Sequence, residues 1–129
     1  MKKITLKLTA VAALALAFNA FAGEVTVVNV KLVSVSVIGA TPTGAHTPGN
    51  AEIRVPPGTI PNAGISCAGN GGAEYITWKV SNDPDRAMLR IAQDAVVSGK
   101  TVNLRITDAA ALTAWGQRCS LVAIGVNHM

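Results

Sequence analysis

Histidine and aromatic side chains are scarce in this chain. Of 129 residues only two are His, and aromatics make up 4%. A Ser-His-Asp triad or a zinc site needs a firmly held imidazole or thiolate. His46 stands in a Thr-, Pro- and Gly-rich stretch and His128 next to the last residue, where backbone is loosely held. Neither suits that task. Cysteine is equally sparse: Cys67 and Cys119 have no C-x-x-C spacing, which excludes a redox or zinc-finger pair. EF-hand, P-loop and G-x-G-x-x-G patterns are absent in any strand-to-helix context. Gly64-Ile65-Ser66-Cys67-Ala68 lacks the last glycine of a nucleophile elbow, and its Ser66 has no evident helix behind it. These absences point to a protein that is not an enzyme and needs no cofactor or metal.

The charge is +4, with 11 Lys+Arg against 7 Asp+Glu. Three of the basic residues, Lys2, Lys3 and Lys7, precede an apolar run from Leu8 to Phe18, and Ala20-Phe21-Ala22 is a small-x-small site. That is the pattern of a secretory signal peptide over residues 1–22. The apolar run is well short of the roughly 20 residues needed to span a bilayer. Cleavage after Ala22 would start the mature chain at Gly23 and leave no membrane-spanning run. The remaining charges nearly balance, which opposes a nucleic-acid partner. Periplasmic or secreted localisation in a bacterium follows. In an oxidising compartment Cys67 and Cys119 read as a disulfide. Closing a loop of some 50 residues contributes roughly 4 kcal/mol.

Residues 23–129 read as a single domain, mainly β with one helix, in the order β-β-β-α-β-β. The alternation over Val25–Ile38 predicts one long strand. It changes phase, with Val28, Val30 and Leu32 on one parity and Val33, Val35 and Val37 on the other. A bulge at Leu32-Val33 would repair the register and bend the strand. Gly39–Asn50 reads as a loop, Ala51–Val55 as a strand, and Ala73–Val80 as a strand with Ile76, Trp78 and Val80 on one face and Tyr75, Thr77 and Lys79 on the other. Asp83-Pro84-Asp85 opens a helix that Gly99 closes, with Met88, Ile91, Ala92, Ala95 and Val96 as its apolar stripe. Thr101–Thr107 forms the next strand, with Val102, Leu104 and Ile106 inward. A connection over Asp108–Arg118 leads to the last strand, Cys119–Val126, with Val122, Ile124 and Val126 inward.

That order is the order of a five-stranded OB-like barrel. The pattern helix–Ser98-Gly99-Lys100-Thr101-Val102–strand–Cys119–strand, preceded by Cys67 and Trp78-Lys79-Val80, resembles a family of small secreted bacterial proteins. Those in turn are similar to the OB-fold binding subunits of AB5-type toxins. The resemblance covers about two-thirds of the mature chain and leaves Gly39–Gly72 unmatched. It implies a binding module that recognises a glycan or a protein partner, with a homo-oligomer as one possible assembly. The alternative is a structural or regulatory periplasmic protein with no small ligand.

Candidate ligand residues are Trp115, Tyr75 and Arg105. Trp115 stands in the connection between the last two strands, a loop that OB-folds use for ligands. Its face could stack on a sugar ring, or it could plug one end of the barrel. A groove for single-stranded nucleic acid would need Arg54, Lys79, Arg105 and Arg118 to gather on the side that carries Tyr75. The alternative is a solvated, mixed-charge sheet face, which the near-neutral charge and export favour.

Overall fold

The computed structural model describes residues 22–39, 47–69 and 74–127. The expected signal segment lies outside these residues except for Ala22, and His46 and His128 lie outside them too. The fold is mainly β with one helix. Its strands are β1 (Glu24–Lys31), β2 (Ser34–Val37), β3 (Ala51–Arg54), β4 (Tyr75–Trp78), β5 (Thr101–Thr107) and β6 (Cys119–Val126), and its helix is α1 (Ala87–Ser98). They form one six-stranded mixed sheet in the order β1-β5-β6-β4-β3-β2. Only the β4–β6 pair is parallel.

Six strands replace the expected five because the first stretch is divided. β1 ends at Lys31 and β2 begins at Ser34, with Leu32 and Val33 between them. β1 pairs with β5 while β2 pairs with β3, so the two halves sit at opposite edges of an open sheet. The phase change therefore falls at Leu32-Val33, as the alternation predicts. A second slip comes earlier. Val27 faces Leu104 and Val30 faces Val102, so β1 carries one extra residue there. Asn29 absorbs it at φ 57°, a left-handed conformation that Asn tolerates better than most residues. Val28 consequently points to solvent at 59% exposure, and is not a core partner of Val30 and Leu32. Val33 and Val37 are exposed as well, and only Val35 of that trio packs on the core.

β6 holds the mirror case. Arg105 faces Ala123 but Ile106 faces Leu121, which leaves Val122 as the extra residue. The inward set is thus Cys119, Leu121, Ile124 and Val126, and Val122 drops out of it. Val102, Leu104 and Ile106 on β5 have no exposed surface, as expected from their alternation. On β4 both parities are buried: Ile76 and Trp78 join the core, and Thr77 is covered from the other side. Val80 lies past the end of that strand, in a 3-10 turn.

The helical stretch begins at Pro84 as a 3-10 turn and becomes α-helical at Ala87. Asp85 and Arg86 take positive φ at the junction. Asp83, only 2% exposed, caps the helix from four residues before its first α-helical residue. Its carboxylate accepts the Met88 and Leu89 N–H groups at 2.8 and 3.1 Å, and the Trp78 indole N–H at 3.0 Å. One acidic side chain thereby satisfies two free donors of the first turn and the polar atom of the largest core residue. Leu89, Ala92 and Ala95 are the buried stripe, with Met88 and Val96 half-buried beside them. Ala92 and Ala95 let the helix approach the sheet closely. Gly99 ends it at φ 66°.

Cys67 and Cys119 are bonded, with Cα atoms 5.1 Å apart. The bridge ties a 3-10 turn at Cys67–Gly69 to the start of β6. Cys119 also faces Ile76 in the parallel β4–β6 pair, so the bridge anchors the one non-local parallel contact of the sheet.

Candidate functional site

The site is built by strand alternation on β3 and β4. Ala51 and Ile53 point into the core, so Glu52 and Arg54 point out. Arg54 faces Tyr75 and Glu52 faces Thr77 across the antiparallel pair, which puts all four on one outer face. Parallel pairing of Ile76 with Cys119 places Arg118 alongside Tyr75, one residue back on each chain. The Arg118 guanidinium lies 4.5 Å from the Tyr75 ring centroid and 5.1 Å from that of Trp115. It also forms an ion pair with Glu52, the most buried of these charged groups at 16% exposure. Arg54 sits 5.8 Å from the same tyrosine ring and binds Glu74 through Nε and Nη2 at 3.1 and 2.9 Å. The hydrogen bond to Glu74, then the charges of Tyr75 and Glu74, raise the Arg54 pKa above its ordinary value.

The connection between β5 and β6 folds across this face and stiffens itself. Arg118 donates its N–H to the Trp115 carbonyl at 3.0 Å, and the Thr113 hydroxyl donates to the Arg118 carbonyl at 3.1 Å. Lys79 Nζ donates to the Ala111 carbonyl at 2.9 Å, which pins the start of the connection to the end of β4. The result is an aromatic–guanidinium–aromatic stack beside two carboxylates. Each such cation–π contact contributes roughly 0.5–1 kcal/mol when exposed. The stack is therefore a held surface rather than a set of free side chains.

Of the expected ligand residues, Trp115 and Tyr75 meet through Arg118. Arg105 does not join them. β6 lies between its strand, β5, and β4, and Arg105 pairs instead with Glu24 of β1 at 3.2 Å. Both partners are about half exposed, so that pair adds little stability. Lys79 is likewise occupied by a backbone carbonyl, so the four cations do not form one basic groove. Arg118 and Glu52 are the residues that sequence reasoning underweighted. The one available signal was that Arg118 immediately precedes Cys119.

A second polar cluster surrounds Asp108 at the end of β5. Its Oδ2 accepts the Ser66 N–H at 2.8 Å and the Ser66 hydroxyl at 3.1 Å, and its Oδ1 accepts the Gly23 N–H at 2.6 Å. Partial burial alone would push this carboxyl up. The hydrogen bonds from Ser66 and Gly23, together with its own backbone N–H, outweigh burial and hold it below the usual carboxylate range. Ser66 is thus tied to an acid through both its N–H and its hydroxyl. Ser66, Asp108, Thr113 and Arg118 line a cavity of about 180 Å³ that links this cluster to the stack.

A larger concavity, about 430 Å³, lies between the end of α1 and β6. It is lined by Asp94, Ser98 and Lys100 with no aromatic, and the Ser98 hydroxyl is already given to the Asp94 carbonyl, so its size does not make it the better candidate. Among the described residues no group of three or more His, Cys, Asp or Glu could hold a metal ion. No described helix is long and apolar enough to cross a membrane. No protein-family model, curated protein or solved structure matches this chain.

Proposed function

We propose that the protein is an exported, non-enzymatic binding module of OB-like architecture, and that its ligand surface is the outer face of β3–β4 with the β5–β6 connection. The observation that carries the reading is Arg118, held between Tyr75 and Trp115 and tied to Glu52. Such a surface offers ring faces for stacking and an array of carboxylates and guanidiniums for hydroxyl groups. That combination suits a glycan, free or displayed on a protein partner. Each guanidinium is already matched by a carboxylate and Lys79 is held by the Ala111 carbonyl, so the surface offers a phosphate backbone few free cations. The barrel reading is supported by the chain path: the sheet's two edge strands are consecutive and separated only by Leu32 and Val33, so one bent run of backbone serves both edges.

The export segment supports a periplasmic or secreted location, and the resemblance to toxin binding subunits favours a homo-oligomer. The test is a glycan array with the mature, disulfide-bonded protein, followed by tryptophan fluorescence on the hits. Binding that quenches the fluorescence and is lost in Trp115→Ala, with the far-UV spectrum unchanged, supports the reading. A structural or regulatory role without a small ligand is favoured by one feature: the ion pairs of the cluster are satisfied internally. No binding on the array, with capture of a periplasmic protein that Arg118→Ala abolishes, would select that second role.

A further inference from the structure

We propose that Asp108 is a built acceptor for a primary ammonium, and that cleavage of the Ala22–Gly23 bond supplies that ammonium from the chain itself. The inference rests on the cleavage site read from the sequence and is independent of what the aromatic cluster binds. In the step, water adds across the amide: Ala22 leaves with the carboxylate, and Gly23 keeps the nitrogen, protonated as an ammonium. The catalyst is a signal peptidase of the exporting cell.

Four observations converge on Gly23. Its nitrogen is 2.6 Å from Asp108 Oδ1. Its carbonyl accepts the Thr107 hydroxyl at 2.8 Å and the Asp108 N–H at 3.2 Å, so the residue is gripped from both sides. A Cβ here would lie 1.9 Å from the Gly64 carbonyl oxygen, so only glycine fits at the position that follows the cleavage site. Asp108 accepts donors from neutral groups alone, and among the described residues no lysine or arginine pairs with it. Its negative charge is held by dipoles, with no opposite charge paired to it among the described residues. The new terminus is such a charge, already at charge-assisted distance. Because Asp108 also binds Ser66, beside the half-cystine Cys67, the pair would clamp the start of β1 to the disulfide-bonded loop. The precursor, with a neutral amide at Gly23, lacks the charge.

The other charged groups nearby are compensated. Glu24 pairs with Arg105, and Arg118, which lines the same cavity as Asp108, pairs with Glu52. Titration of the Gly23 amine therefore reports mainly on Asp108. The experiment has two arms. In the first, the protein is purified after export, its N-terminus is determined, and the α-amino group is titrated by NMR. The expected result is Gly23 at the terminus, with an amine pKa at least one unit above the ordinary value of roughly 7.7–8.0. In Asp108→Asn that value returns to the ordinary range. In the second, chains released from fusions at Ala22 or at Gly23 are unfolded in urea; this arm needs no substitution in the fold. The Gly23 chain should have the higher midpoint. A terminus other than Gly23 overturns the processing half of the proposal. An ordinary amine pKa, or equal midpoints for the two chains, overturns the role of Asp108.

Discussion

Replacing Asp83 with Ala tests the logic that joins the helix to the core. The carboxylate is 2% exposed and accepts three hydrogen bonds, two from the first turn of α1 and one from the indole of Trp78, itself 1% exposed. Loss of a helix-capping acceptor costs about 1 kcal/mol. Leaving a buried indole N–H without a partner costs about 1–3 kcal/mol more. The expected destabilisation is therefore about 2–4 kcal/mol. With a urea slope of about 2 kcal/mol per molar, in the middle of the range for small domains, the midpoint falls by roughly 1–2 M. Urea unfolding followed by far-UV circular dichroism and tryptophan fluorescence measures it. Asp83→Asn keeps one acceptor oxygen and should lose about half as much. A double-mutant cycle with Trp78→Phe isolates the indole share, because the second substitution removes the stranded donor. A shift below about 0.5 kcal/mol for Asp83→Ala, the range of an ordinary surface change, would refute the argument. So would strict additivity with Trp78→Phe, since groups in one buried network should couple.

Reduction of the Cys67–Cys119 bridge, with its 52-residue separation, should lower stability by roughly 4 kcal/mol on the chain-entropy model; calorimetry of the Cys67→Ala/Cys119→Ala pair checks this against wild type. The folded-state pKa of Asp108 is depressed, so its contribution is fully present above the unfolded value of about 3.9 and is lost as pH falls through the lower folded value. Urea midpoints measured from pH 7 to pH 3 should therefore fall less in Asp108→Asn than in wild type over the acid end. Gly99→Ala meets no neighbour within 4 Å and should cost about 1 kcal/mol, from its positive φ alone. Gly23→Ala in the mature chain, by contrast, meets backbone and should cost roughly 1–3 kcal/mol. Arg118→Ala removes two ring contacts and leaves Glu52 without its partner; a loss larger than that of Arg54→Ala, whose pair is more exposed, is the expected order in thermal unfolding.

Local patterns were legible where one element decided them. The burial of Val102, Leu104 and Ile106 follows from period-two alternation, and the end of α1 follows from Gly99. The cap at Asp83 was legible as a residue type, although its reach to Met88, Leu89 and Trp78 was not. The bulges are where alternation and the observed faces part. Asn29 moves Val28 to the surface, and the extra residue at Val122 shifts the inward set of β6 to Leu121, Ile124 and Val126. A bulge changes parity without changing composition, so alternation alone misplaces every side chain beyond it until the partner strand is known.

The candidate site shows the same division. Tyr75 and Trp115 stand out in an aromatic-poor chain, and the structure brings them together. What joins them is Arg118, whose placement depends on the parallel contact of β4 with β6 and on the disulfide beside it. Arg105 carries the same charge and sits on an equally regular strand, yet one intervening strand sends it to Glu24. Charge and periodicity are properties of a segment, and a site is a property of which segments are neighbours.

By itself, the sequence determined the strand-rich character, the helix between its Asp and Gly signals, the cysteine pairing and the poverty of catalytic groups, because each depends on local conformational preference or on simple counting. Tertiary structure alone decided that Val25–Ile38 divides between two sheet edges, that two arginines converge on Tyr75, and that the Gly23 nitrogen rests on Asp108, 85 residues away. Those outcomes depend on long-range register, which is set by the packing of the whole core and is not encoded in any one stretch of chain.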